Sequence, residues 1–280
     1  MFPSPADRPF TVMTILSPSN FTLSAWADWW EGTRNARLWW VLAWYDIALK
    51  YRRSLLGPLW LTISMAILLI GMGPLYSNLF NVPMNRFFPH LTLGIILWNF
   101  FSTSINDGCG VFIAAAPYLK QSDFPGSTFV WRSLARNIIQ LAHHAVLFLP
   151  VALWFGIAWS SKTLLFIPGF LIVIINLHAL SISLGLVCAR FRDVAQIVAS
   201  GLQLMMFLTP VFWFPERVTD HMHLILYNPF AQLLDVMRLP LLGVAPAGKT
   251  WLLLACITCV NVAIAAVLYA QKRRQVVYWL

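Results

Sequence analysis

Lys50-Tyr51-Arg52-Arg53 stands just ahead of an apolar run that carries no charged residue from Leu61 to Phe80. Two adjacent guanidinium groups at such a junction lie at the depth of membrane phosphates. Arginine stays ionised there and can hold phosphate oxygens through two parallel hydrogen bonds. The competing use of Arg52 and Arg53 is topological, because basic residues anchor the inner end of a span. Asp107 is a second candidate, in Ser102-Thr103-Ser104-Ile105-Asn106-Asp107-Gly108, midway along another apolar stretch. An ionisable side chain inside a span is costly and faces protein or a water-filled path. Asp107 therefore reads as part of a polar conduit or of an interhelical hydrogen-bond cluster. No second intramembrane carboxylate follows it to form a proton relay.

Aromatic side chains mark a third group. Trp98 and Phe101 open the polar half of the Asp107 segment, and Phe207 and Trp213 close a later one. Such residues form ordinary interfacial belts. Their faces also pack against the apolar C–H face of a sugar ring without binding it strongly. Two connecting loops mix charge with aromatic residues and read as docking surfaces. One carries Tyr118, Leu119, Lys120 and Phe124; the other is Ala189-Arg190-Phe191-Arg192-Asp193-Val194-Ala195-Gln196, short enough to expect a buried Arg–Asp arrangement.

Other chemistry is missing. There is no G-x-x-x-x-G-K-[ST], so ATP, if used, is bound by another chain. There is no H-E-x-x-H, no carboxylate pair at catalytic spacing, no expected catalytic residue and no expected metal site. His143, His144 and His178 read as interhelical hydrogen-bonding groups. Cys256-x-x-Cys259 lies inside an apolar run and reads, like Cys109 and Cys188, as packing.

The elements that position these residues are membrane spans. Of 280 residues, 59% are hydrophobic and 10% charged, with mean hydropathy +0.72. A soluble domain carries about 25% charged residues. The net charge of +9 does not point to nucleic acid, since the basic residues gather at the ends of apolar runs. A helix needs about 20 apolar residues to cross a bilayer. Six segments qualify: 59–80, 91–116, 138–159, 164–188, 197–214 and 251–270. The fifth is the shortest. Most of the 19 basic residues then fall on one side, which predicts cytoplasmic termini and a multi-pass protein of the cytoplasmic membrane. Arg132 and Arg136 are assigned to the inner loop between spans two and three. No cleavable leader pattern occurs in the first 24 residues, so the first span is expected to be retained. From Trp26 to Lys50, tryptophans alternate with charged residues at helical spacing, as in a helix lying in the membrane interface. The chain thus divides into an extension (1–25), an amphipathic interfacial helix (26–50) and a six-span transmembrane domain (51–280), all-α throughout.

Several motifs in this order resemble one family. They are Tyr51-Arg52-Arg53-Ser54-Leu55-Leu56-Gly57-Pro58-Leu59-Trp60, Trp98-Asn99-Phe100-Phe101, Phe124-Pro125, Arg136-Asn137, Arg190-Phe191-Arg192-Asp193, Thr209-Pro210-Val211-Phe212, and Asn228-Pro229-Phe230 with Arg238. From about Trp44 to Arg274 the chain resembles the membrane subunit of type-2 ABC exporters for polysaccharides: O antigen, capsular polysaccharide or teichoic acid. The resemblance implies a homodimer of six-span permeases with two copies of a separate ATPase that binds ATP and Mg; this chain would bind no cofactor. It implies short re-entrant helices in 215–250, on the periplasmic side before the last span. The substrate would be a polyprenyl-linked glycan, moved among membrane lipid. Arg52 and Arg53 would capture its pyrophosphate where substrate enters. Tyr118, Leu119, Lys120 and Phe124 would couple to the ATPase, and Trp98, Phe101, Asp107, Phe207 and Trp213 would line the channel. Alternatives are a permease for a drug or simple lipid, or a membrane transferase using Asp220, His221 and His223.

Overall fold

The computed structural model describes residues 18–52, 56–57, 59–121, 124–217 and 227–280, with side chains from Ala25 onward. Every regular element among them is helical. Arg53, Asp220, His221 and His223 lie outside the described residues.

The expected interfacial helix is two helices, α1 (Pro18–Arg34) and α2 (Ala36–Lys50), and helical backbone begins before Trp26. Asn35 breaks the run, at φ −74 and ψ 47. The reason lies at Gly32, where a Cβ would collide with Ser127 Oγ. The missing side chain lets α1 cross the start of α6 (Gly126–Ala145) closely. The chain then turns at Asn35 so that α2 can lie along α6 as well. Trp26, Trp30, Trp40 and Trp44 remain exposed on the outer faces.

Among the described residues, four helical runs are long and apolar enough to cross a membrane: α3 (Leu59–Leu79), the run Gly126–Trp154 formed by α6 and α7 (Phe148–Trp154), the run Ser161–Arg190 containing α8 (Phe166–Arg190), and α11 (Gly248–Trp279). Two expected spans are not among them. The second expected span is α4, Met84–Ala114, whose 31 residues run about 46 Å. Its polar residues lower its hydropathy, but the helix is central and packs on α3, α6 and α8. Thr92 and Ser104 are buried in protein rather than set against lipid. The fifth is α9, Val194–Leu208, only 15 residues or about 22 Å, short of a hydrocarbon core of about 30 Å. It stops because Thr209 precedes Pro210 and is extended, as a pre-proline residue prefers.

The third span begins earlier than expected, so Arg132 and Arg136 sit on α6 and not in a loop. Both are neutralised by carboxylates, which allows the helix to include them. In the short loop after α8 no buried Arg–Asp pair forms among the described residues: Arg192 and Asp193 are exposed, and Arg190 lies over the ring of Trp279 at 5.7 Å. Past α9 come a 3-10 turn at Pro215–Arg217 and, further on, α10 (Pro229–Leu241), capped by Asn228 Oδ1, which accepts from Phe230 N at 2.9 Å. Cys109 and Cys188 are buried, whereas Cys256 and Cys259 lie on the exposed face of α11, outside the core.

The centre of the bundle is the crossing of α4 on α8. At Gly108 a Cβ would approach Ser181 Oγ to 2.5 Å. The Asn106-Asp107-Gly108 step is therefore a contact point: Gly108 admits α8 on one face while Asp107 is turned toward α6.

Candidate functional site

Two three-residue polar stripes face one another beside that crossing. Asn99, Thr103 and Asp107 repeat every fourth residue of α4, and Arg136, Gln140 and His144 do so on α6. Residues four apart share a helix face, so both helices present a polar seam to the same space. That space is a cavity of ≈ 850 Å³. Its other wall is apolar in part, with Leu61, Met65 and Leu68 of α3. Asp46, Lys50 and Tyr51, at the end of α2, complete one margin. The cavity thus combines a surface for hydroxyl groups with one for hydrocarbon, and it is open on one side.

One end of the cavity is closed by ion pairs. Arg136 Nη2 donates to Asp107 Oδ2 at 2.8 Å, and Asn137 Nδ2 donates to the same oxygen at 3.1 Å. Arg136 also lies 3.6 Å from Asp46. Arg132 grips Asp46 with both ends of its fork, Nε to Oδ2 at 2.9 Å and Nη2 to Oδ1 at 2.6 Å. Two cations and two anions therefore tie α2, α4 and α6 together with no net charge. On the far side of these groups is a smaller cavity, ≈ 290 Å³, which Tyr118 and Phe129 also line. The network is a partition between the large cavity and the loop that carries Tyr118.

That loop forms a short helix, α5 (Ala116–Gln121). Leu119 is half-buried against Phe112 and its neighbours, while Tyr118, Lys120 and Phe124 are exposed. Arg132 stacks over the Tyr118 ring at 5.7 Å, so the loop touches the network directly. After Phe124 the chain is fastened again. Ser127 N donates to Tyr269 Oη at 3.2 Å, Tyr269 Oη donates to Asp28 Oδ2, and Arg273 pairs with Asp28 at 3.4 Å. The loop, α1 and the end of α11 form one surface.

The other expected site residues are dispersed. Arg52 is exposed just past Lys50 and Tyr51, at the cavity margin but not on its wall. Phe101 has no exposed surface, and Trp98 is buried edge-on to Phe230 at 5.6 Å. Neither faces an open path in this conformation; both fill the core around α4. Phe207 is exposed, and its carbonyl accepts from Trp213 Nε1 at 3.0 Å, so those two do share one surface. They belong to the opposite end of the bundle, where His90 contacts the Trp213 carbonyl at 3.1 Å and Arg86 pairs with Glu216 at 3.1 Å. The His143 ring bonds within its own helix, Nδ1 to Ile139 O at 2.8 Å, while its backbone carbonyl accepts from Thr62 Oγ1 of α3 at 3.2 Å. Asn99, Thr103 and Gln140 do not stand out by residue type alone. The i, i+4, i+8 spacing on both helices is the signal that could have found them.

Residues 37–242 match the family described as ABC-2 type transporter. Over 199 residues the chain is 25% identical to the O-antigen export system permease protein RfbA of Klebsiella pneumoniae, covering 68% of this chain and 74% of that protein. Over 185 residues it is 28% identical to the O-antigen export system permease protein RfbA of Myxococcus xanthus, covering 62% and 67% respectively.

Proposed function

The chain belongs to the ABC-2 type transporter family, and we propose that it is the permease of an ATP-driven exporter for a lipid-linked polysaccharide such as O antigen. The observation that carries this reading is the two-natured cavity between α2, α3, α4 and α6. Its polar stripes suit sugar hydroxyls, its α3 wall suits a polyprenyl tail, and Arg52 and Arg53 lie in the sequence where the pyrophosphate between them would pass. A simple lipid or drug would use the apolar wall and leave the stripes unemployed.

The permease does no covalent chemistry. Two copies of a separate ATPase bind ATP and Mg and close on each other. The surface built from α1, α5 and Phe124 receives that motion. The Arg132–Asp46–Arg136–Asp107 partition passes it to α4 and α6, and the glycan crosses between two permease copies toward the periplasm. This reading puts both termini in the cytoplasm and the chain in the cytoplasmic membrane. It counts six spans, with α4 crossing as a protein-covered helix. The fifth is α9 continued by the chain that follows it, and α10 dips back from the outer side.

The test is a strain lacking this chain but retaining its ATPase. Lipid-linked glycan is expected to build up inside the cytoplasmic membrane and vanish from the surface, and the restored gene reverses both. Normal surface glycan in the deletion strain would refute the proposal. Surface glycan unchanged while a short lipid or drug accumulates would favour the simpler substrate.

A further inference from the structure

His178 of α8 is 4% exposed, and its Nε2 has no hydrogen-bond partner among the described residues. The expected bond across helices is not made by this atom. The ring is instead packed among indoles, 4.3 Å from Trp131 and 5.6 Å from Trp29 between centroids. An unmet buried polar atom costs free energy unless something supplies a partner. His178 lines an apolar cavity of ≈ 360 Å³, with Trp29, Trp30 and Trp131 around it and Val262 of α11 on the far side. That volume falls within the range of about 300–1,000 Å³ typical of small-molecule sites.

A second apolar cavity, ≈ 280 Å³, shares Trp26 and Trp29 as lining and is walled also by Ala266, Val267 and Ala270. Two hydrocarbon compartments therefore stand on either side of one indole partition. At the edge, the Arg34 guanidinium lies over the Trp30 ring at 5.1 Å. The rim thus offers a positive charge, the interior one hydrogen-bonding nitrogen, and the body two apolar slots. This is the order of groups in a phospholipid: phosphate, ester, two chains. The site is separate from the large cavity and has no residue in common with it.

We propose that this double cavity binds one diacyl glycerophospholipid, with His178 Nε2–H donating to an ester carbonyl and Arg34 meeting the phosphate. The lipid would fasten α1 to α6, α8 and α11, the side of the permease that carries Trp26 and Trp29. The site needs no transported glycan and stands whether or not the proposed substrate is correct.

The experiment uses the intact purified permease, stripped of lipid in detergent and incubated with dioleoyl phosphatidylglycerol. Retained lipid is counted by native mass spectrometry. The wild-type chain is expected to hold one phospholipid. His178→Leu is expected to lower retention about tenfold, the effect of an unmet polar contact, with His178→Gln recovering most of it. Ile175→Trp fills the first cavity from a half-exposed position, so it tests occupancy even if His178→Leu fails to fold. Equal retention by wild type, His178→Leu and Ile175→Trp would overturn the site. Free oleate bound as tightly as the phospholipid would overturn the assignment to a diacyl glycerophospholipid.

Discussion

Arg136 of α6 holds the Asp107 carboxylate of α4 at 2.8 Å while lying 3.6 Å from Asp46 of α2. One guanidinium thus stands between an anion on the central helix and an anion on a surface helix. A change in the angle of α2 must alter how Arg136 divides between them. This is a direct mechanical connection from the exposed face of the protein to the wall of the ≈ 850 Å³ cavity.

Removing the central anion tests that connection. Asp107→Asn leaves the size unchanged but deprives Arg136 of its closer partner. The side chains of the pair are each about a third exposed, so the loss is less than for a dry ion pair, on the order of 1–2 kcal/mol. A fall of a few degrees in melting temperature and a large loss of export are expected. Arg136→Lys keeps the charge without the fork, and partial activity is expected from it. Full export by Asp107→Asn, measured as surface glycan, would remove the pair from the mechanism.

Legibility in the sequence differs by element. The apolar runs of α3, α8 and α11 announce themselves, because lipid demands apolar side chains on exposed helix faces. The run at α4 is legible too, but its polar residues are ambiguous: the bonds from Arg136 and Asn137 are what show that Asp107 faces α6. Arg132 and Arg136 fall into a loop when charge is taken to mark a span boundary. Their partners, Asp46 and Asp107, are 86 and 29 residues away in sequence, and no local pattern pairs them. Trp98 and Phe101 suggest a channel wall by residue type alone. An aromatic side chain fills a core as readily as it lines a path, and burial decides between the two.

Gly108 should tolerate nothing larger. A methyl group there meets Ser181 Oγ at 2.5 Å, and the neighbouring Cα of Ser181 leaves no room to retreat. Overpacking of this kind costs about 1–3 kcal/mol. Gly108→Ala is expected to lower thermal stability in detergent, and Gly108→Val to prevent assembly. Ser181→Gly paired with Gly108→Ala should recover part of the loss. A Gly108→Val protein with wild-type melting behaviour would show that α4 and α8 do not cross here.

The exposed loop separates anchoring from docking. Leu119 is half-buried, whereas Lys120 is exposed and Tyr118, also exposed, lies under the Arg132 guanidinium. Lys120→Glu is expected to weaken co-purification with the ATPase while leaving the permease stable. Leu119→Ser should lower stability first. Replacing Tyr118-Leu119-Lys120 by Gly-Ser residues should abolish export with insertion intact. ATPase binding unchanged in all three would place the contact elsewhere.

Topology can be read at the two ends of α11. Lys249 opens the helix and Lys272 lies near its close, 32 residues spanning far more than a bilayer core. With cysteine at each position in turn, and the native cysteines replaced, an impermeant thiol reagent added outside is expected to label position 249 and not 272. Labelling of both from outside would contradict the cytoplasmic placement of the basic end.

Arg52 and Arg53 remain the sharpest test of substrate capture. Arg52 is exposed beside Tyr51 and Lys50, which border the large cavity, so its position admits a ligand phosphate on the way in. It equally admits a role as a positive anchor. Changing both arginines to lysine distinguishes the two uses. Lysine keeps the charge that fixes topology but loses the planar fork that grips two phosphate oxygens at once. If the arginines capture pyrophosphate, the double variant Arg52→Lys with Arg53→Lys should insert normally, bind the ATPase normally and export several-fold more slowly. The defect should shrink as lipid-linked glycan is raised, because a weakened site can be refilled by mass action. A protein that inserts normally and exports at the wild-type rate leaves these residues as anchors alone.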